Sequence, residues 1–221
     1  PLIYGGVLLF LKLFGSRGLT CFTVLATIAA NIEVLISVVA VSLKQTLGNI
    51  LVASTFLVTD ILSELYGKKA ATNAVNIGIA SSLGFVVLSQ LWLLYQPSAN
   101  DWVFEAMTTI FSNTPRMIFA SVAVYAVCQR FDVWLYHWWW DWSERKFGDR
   151  RRFLWLRNNG STLVSQLLNT VLFNLAAFGG TYDGATLVSI IGGGYPGFFV
   201  TFLAGSPFFY WARRFKVKEP G

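Results

Sequence analysis

The chain has 221 residues, 55% of them hydrophobic and 13% charged, with a mean hydropathy of +0.56; an average soluble domain is about 25% charged. Its 17 Lys and Arg and 11 Asp and Glu cannot cover a water-soluble globule of this size, and 19 Phe, 9 Trp and 8 Tyr exclude a disordered chain. The chain belongs in a bilayer, where a net charge of +6 sets orientation rather than marking a nucleic-acid partner. Cys21 and Cys128 both fall in apolar runs and read as small buried hydrophobes, not as a disulfide framework or a metal site.

Pro1–Phe14 is apolar but short, with no Met and no basic stretch ahead of it, so it reads as a truncated start and the remnant of an extra helix rather than a signal peptide. A spanning helix needs roughly 20 mostly apolar residues. Six segments supply them: Leu19–Leu43, Asn49–Tyr66, Ala71–Tyr95, Pro115–Trp139, Ser161–Phe178 and Ala185–Trp211. The fold class is therefore an all-α integral membrane protein, a bundle of six main transmembrane helices behind a short N-terminal one. The expected division is a truncated hydrophobic N-terminal segment over 1–18, the six-helix transmembrane domain over 19–212 and a basic cytoplasmic tail over 213–221.

Alternate threading puts 14 basic residues, from Lys12 and Arg17 through Lys68, Lys69 and the Arg145–Arg157 stretch to Arg213–Lys218, on one side, against Lys44 and Arg116 on the other. Lys/Arg excess marks the cytoplasmic face, so the C-terminus is expected there, in a multi-pass protein of the cell membrane. The opposite loop, Gln96–Thr114, has acids but no Lys or Arg, and the spacing of Trp102, Val103, Phe104 and Met107 predicts a short helix lying on the outer surface. His137-Trp138-Trp139-Trp140-Asp141-Trp142 reads as an interfacial aromatic belt. Gly192-Gly193-Gly194-Tyr195-Pro196-Gly197 predicts a break in the last span, its freed backbone lining a cavity.

Charges inside spans each cost about 2.5–3.5 kcal/mol even on the lenient insertion scale, which singles out Glu33, Asp60, Glu64, Arg130 and Asp132. Asp60 and Glu64, four residues apart, share one helix face. Their mutual repulsion calls for a proton, a cation or a ligand donor. Thr162, Gln166, Asn169 and Phe173 line one face of the fifth span, flanked by Ser161 and Ser165 and preceded by Arg157. Ser121, Tyr125, Gln129 and Asp132 do the same on the fourth, which Arg116 opens, while Asn31 and Glu33 fall near the middle of the first. Converging, these groups make a polar pocket in an apolar shell, suited to a flat heteroaromatic small molecule. No Ser/His/Asp set, zinc motif or phosphate loop occurs, so neither catalysis nor a cofactor is expected.

Asn31 in Ala-Ala-Asn-Ile, Phe56-Leu-Val-Thr-Asp-Ile-Leu-Ser-Glu-Leu-Tyr-Gly67, Thr114-Pro-Arg-Met-Ile-Phe-Ala-Ser121 with its continuation to Gln129 and Asp132, and Trp155-Leu-Arg-Asn-Asn-Gly-Ser-Thr-Leu-Val-Ser-Gln166 resemble the queuosine precursor transporter family, also called the vitamin uptake transporter family. The likeness runs from about Leu19 to Trp211. It implies a six-helix importer of 7-deazaguanines, such as 7-cyano- or 7-aminomethyl-7-deazaguanine, salvaged for queuosine and archaeosine. By matching motif it implies substrate contacts at Asn31, Asp60, Glu64, Arg116, Gln129, Asp132, Arg157, Ser161, Thr162 and Gln166. The chain departs where the family commonly has Asp and this sequence has Asn169, where the last helix often carries Lys and this sequence has Gly197, and where Ala71 replaces a frequent Arg. Loss of an acid and a base together leaves no uncompensated charge, so positions 169 and 197 are expected to face each other. The partners expected are the 7-deazapurine, the lipid bilayer, and a second copy of the chain or an ATPase module. The alternatives are a substrate-binding subunit of an energy-coupling-factor importer, which needs that ATPase, and a non-transporting membrane scaffold.

Overall fold

The computed structural model describes residues 2–33, 36–40, 43–46, 48–98, 100–112, 115–148, 154–180 and 183–215. In chain order these form α1 (Leu2–Glu33), β1 (Ser37–Ala40), β2 (Leu43–Thr46), α2 (Gly48–Trp92), α3 (Phe104–Phe111), α4 (Pro115–Phe147), α5 (Leu154–Phe178) and α6 (Gly184–Ala212).

Two of these helices fold back on themselves. Within α2, Gly67 has φ 82° and ψ 172°, a region essentially closed to any residue with a Cβ. The arms on either side of it run in opposite senses along α4. Thr55 meets Gln129 and Glu64 meets Tyr136 on the first arm, whereas on the second Asn76 meets Arg130 and Gly78 lies beside Tyr125. Gly15 (φ 63°, ψ −138°) plays the same part in α1, returning Phe10 against Phe22 with ring centroids 5.6 Å apart. Each glycine thus replaces a loop, and the helical arms number six long ones plus the short arm 2–14.

The first long arm ends earlier than its apolar run. Beyond Glu33 the chain leaves the helix, and an antiparallel hairpin pairs Ser37 with Thr46 and Ala40 with Leu43, in place of the helix expected as far as Leu43. Val38, Val39 and Val41 are β-branched and favour extended backbone. Glu33 therefore stands at a helix end, not in mid-span. The break expected in the last span is also absent: α6 is one helix through Gly192–Gly197. A helix satisfies its own backbone groups, which in a spanning segment favours keeping Gly and Pro in helical conformation. The short helix expected over 96–114 is α3.

The distribution of side chains is inverted relative to a soluble protein. Buried positions include Asp60, Gln129, Asp132, Arg157, Asn158, Asn159, Gln166 and a series of Ser and Thr, while Leu25, Val87, Phe119, Val127, Trp134, Leu167 and Leu175 are exposed. Such a surface is stable only against lipid. An apolar cluster at one end, including Val7, Leu19, Phe22, Val58, Ile61, Leu62, Val75 and Phe209, fixes α1, α2 and α6 around the polar interior. Gly78 brings α1 and α2 together: a methyl group there would come within 2.9 Å of Thr23 Cγ2.

Candidate functional site

Asp60 lies seven residues from the Gly67 reversal, about 10 Å along the helix, and is 2% exposed. The Thr162 hydroxyl donates to Asp60 Oδ2 at 3.0 Å and also faces the Asn158 carbonyl at 2.9 Å, so one hydrogen serves two acceptors. Asp60 Oδ1 has no hydrogen-bond partner, nor does Asn158 Oδ1. A narrow cavity lined by Tyr4, Ala53, Leu57, Asp60, Asn158, Thr162, Gly205 and Ser206 opens beside them, with room for roughly one water molecule. One turn beyond Thr162 on α5, Gln166 is 1% exposed and neither its Oε1 nor its Nε2 is hydrogen-bonded. An unsatisfied buried polar group costs about 1–3 kcal/mol. Several together mark binding capacity held in reserve.

Glu64 is organised differently, since its needs are met from three other helices. Tyr136 on α4 donates to Oε2 at 2.8 Å and Arg157 on α5 pairs with the same oxygen at 3.1 Å. Arg213, just past α6, reaches Oε1 at 3.3 Å. Arg157 is 1% exposed and lies 4.4 Å from the Trp140 ring centroid, within cation–π range. This latch ties α2, α4, α5 and α6 together at the end of the bundle where Gly67 reverses the chain.

Asp132 is fully buried on α4. Its Oδ2 is 3.5 Å from Thr59 Oγ1, the hydroxyls of Ser161 and Ser165 lie beside it, and Oδ1 has no hydrogen-bond partner. Gln129, one turn earlier, donates to Thr55 Oγ1 at 2.6 Å.

Asp60, Glu64, Gln129, Asp132, Arg157, Ser161, Thr162 and Gln166 thus share one polar interior, with Asn169 half-buried on the same helix as Gln166. Asn31 does not join them. It donates to Ser82 Oγ at 2.7 Å and to the Thr27 carbonyl, binding α1 to α2 two turns beyond Thr23. Arg130 is exposed and donates to Asn76 Oδ1. The side chain of Arg116 and the surroundings of Gly197 lie outside the described residues, so the pairing of positions 169 and 197 does too. Ala71 is a fully buried member of the apolar cluster, a place with no room for Arg.

Tyr136, Asn158 and Tyr4 have no site role in the sequence reading, and Trp140 and Arg213 enter it only as a belt residue and an orienting charge. The spacing Asp132, Tyr136, Trp140 follows i, i+4, i+8 and carries the missed signal. The aromatic run divides accordingly: Trp138 and Trp142 are exposed, as a membrane belt requires, while Trp140 turns inward and His137 stacks on it with an interplanar angle of 2°.

Comparison with known proteins identifies relatives of the chain. A family model described as "Putative vitamin uptake transporter" matches residues 46–212. Over 208 residues, 94% of this chain and 89% of the relative, the sequence is 36% identical to a Bacillus subtilis (strain 168) protein named "Probable queuosine precursor transporter". No solved structure matches the chain significantly.

Proposed function

Because the chain belongs to the vitamin uptake transporter family, we propose that it is a multi-pass importer of the cell membrane that carries 7-deazaguanine precursors of queuosine, with its C-terminus in the cytoplasm. The observation that carries the reading is the unpaired set beside the narrow cavity: Asp60 Oδ1, Asn158 Oδ1 and both ends of the Gln166 carboxamide. A guanine-type edge offers adjacent ring and amino N–H donors, which a carboxylate accepts, and a carbonyl oxygen, to which a carboxamide nitrogen donates. In this role Asp60 takes the donor edge, Gln166 the carbonyl, and Asn158 and Thr162 complete the contacts. Tyr4 supplies an aromatic wall.

The cavity holds about one water, so a bicyclic base enters only after the helices around it part. The Glu64 latch gives this motion a boundary. With Arg157 and Arg213 joined to Glu64, the end of the bundle that carries the Lys68–Lys69 and Arg213–Arg214 pairs is closed, and release on that side requires the latch to open. Lys/Arg excess supports its assignment to the cytoplasm. Glu64 and Arg157 then serve as a gate more than as direct substrate contacts.

Uptake of a radiolabelled 7-deazaguanine into vesicles carrying the protein tests the reading. The wild type is expected to take up label, with competition by unlabelled guanine analogues that retain the donor edge and none by analogues that lack it. Equal competition by both would remove the proposed recognition.

A further inference from the structure

The polar interior contains three acids: Asp60 serves substrate recognition and Glu64 the latch, which leaves Asp132. Asp132 is absent from the cavity lining, is fully buried, and has no cation bound to it among the described residues. Arg157 is engaged with Glu64, and Arg130 points outward to Asn76. The groups facing Asp132 are neutral hydroxyls, two of which give their hydrogen to a backbone carbonyl. Thr59 donates to the Phe56 carbonyl at 2.9 Å, leaving only a long 3.5 Å approach to Asp132 Oδ2 and another to Gln129 Oε1. Ser161 donates to the Arg157 carbonyl at 2.7 Å. The Gln129 amide nitrogen donates to Thr55. Ser165 Oγ and Asp132 Oδ1, both in fully buried residues, are unpartnered. Asp132 is thus a fully buried acid with neutral neighbours, no Lys or Arg paired with it among the described residues and one unpartnered oxygen, a place that one positive hydrogen fits.

We infer that Asp132 is the coupling site of the transporter, binding one proton that travels inward with each substrate molecule. The inference rests on the import reading above and adds its energy source. A proton fits better than a metal cation because a single O–H bond at the unpartnered Oδ1 satisfies it, whereas hard cations need several ligands at once, and no group of three or more His, Cys, Asp or Glu side chains that could hold a metal ion occurs among the described residues. Of the titratable groups around Asp132, Asp60 approaches from α2, with Glu64 one turn beyond it, while Cys128 and Tyr136 stand on α4 itself. From α5 the one charged group is Arg157, joined to Glu64.

Coupling follows from Coulomb's law. Asp60 and Asp132 lie close enough to repel as anions. A proton on Asp132 removes that repulsion and favours the ionised Asp60 that a guanine edge requires. A substrate whose N–H groups neutralise Asp60 relieves the same repulsion from the other side. Proton and substrate therefore favour each other's binding, as linkage demands. The covalent balance is simple: one O–H bond forms at Asp132 facing outward and is broken when the proton leaves to cytoplasmic water.

The experiment uses the full chain in proteoliposomes with the membrane potential clamped, a radiolabelled 7-deazaguanine outside and a pH dye inside. Counterflow with no gradient tests the import reading by itself. Under a step of one pH unit, acid outside, one proton per substrate is expected to give up to about tenfold accumulation, and substrate addition is expected to acidify the lumen. Asp132→Asn is expected to abolish accumulation and acidification, and Asp132→Glu, which keeps a titratable group, to restore part of both. Accumulation driven by a sodium gradient alone, or gradient-driven accumulation by Asp132→Asn, overturns the assignment while leaving the importer intact. Absence of counterflow by the wild type overturns both readings.

Discussion

Asp60 and Glu64 are one turn apart on one helix face, yet they have different work because their surroundings differ. Asp60 has one shared hydroxyl and an open oxygen, whereas Glu64 has a phenol and two guanidinium groups. Asp60→Asn keeps the shape but removes a charged acceptor, a change worth about 1.5–3 kcal/mol when the bond is to a charged group. It is expected to lower initial uptake about 10- to 100-fold with little change in unfolding temperature. Arg157→Ala is expected to do the reverse, destabilising the protein by about 3–5 kcal/mol because the Glu64 charge stays buried without its main partner. The double variant Glu64→Met with Arg157→Met is expected to cost less than the sum of the two single changes, which thermal unfolding of all three measures. Asp60 and Glu64 were legible in sequence because charge inside an apolar run needs a reason, whereas Arg157 read as a basic residue of the loop ahead of the fifth span and lies buried on α5. The division of the two acids between pocket and latch was not legible, since the partners that decide it come from 72 and 93 residues away.

At the scale of elements, helix positions followed from apolar runs of spanning length, and the errors fell where local composition and surroundings compete. The run through Val38–Val41 is apolar enough for a span but β-branched enough for a hairpin, and the Gly–Pro stretch of α6 has breaking residues in a setting that enforces the helix. The reversals at Gly15 and Gly67 rest on backbone angles reserved for glycine. Gly67→Ala is therefore expected to cost about 1–3 kcal/mol. Gly84→Ala, in a helical position with nothing within 4 Å, is expected to be neutral or mildly stabilising; thermal unfolding of the pair separates backbone strain from loss of a small residue. At the start of α6, Asp183 caps the helix by accepting from the Thr186 side chain and backbone N–H. These bonds hold its carboxyl below the usual carboxylate range. The cap's contribution is complete above the ordinary Asp value near 3.8 and disappears as pH falls through the depressed one. Asp183→Asn is expected to remove that acid dependence while keeping most of the cap, which helicity measured against pH reports.

For the whole molecule, composition alone placed the chain in a bilayer, and the inverted surface of exposed Leu, Val, Phe and Trp over buried Asp, Gln, Asn and Arg gives that placement its structural form. The distribution of 17 basic residues predicts that a reporter fused to the C-terminus is active in the cytoplasm and silent outside. The central claim is that this polar interior binds and carries a 7-deazaguanine through Asp60. It is tested most directly by uptake of radiolabelled 7-deazaguanine into vesicles containing equal amounts of wild-type protein and Asp60→Asn. The account predicts saturable wild-type uptake that falls at least about tenfold in the variant; equal uptake by the two, or none by the wild type, contradicts it.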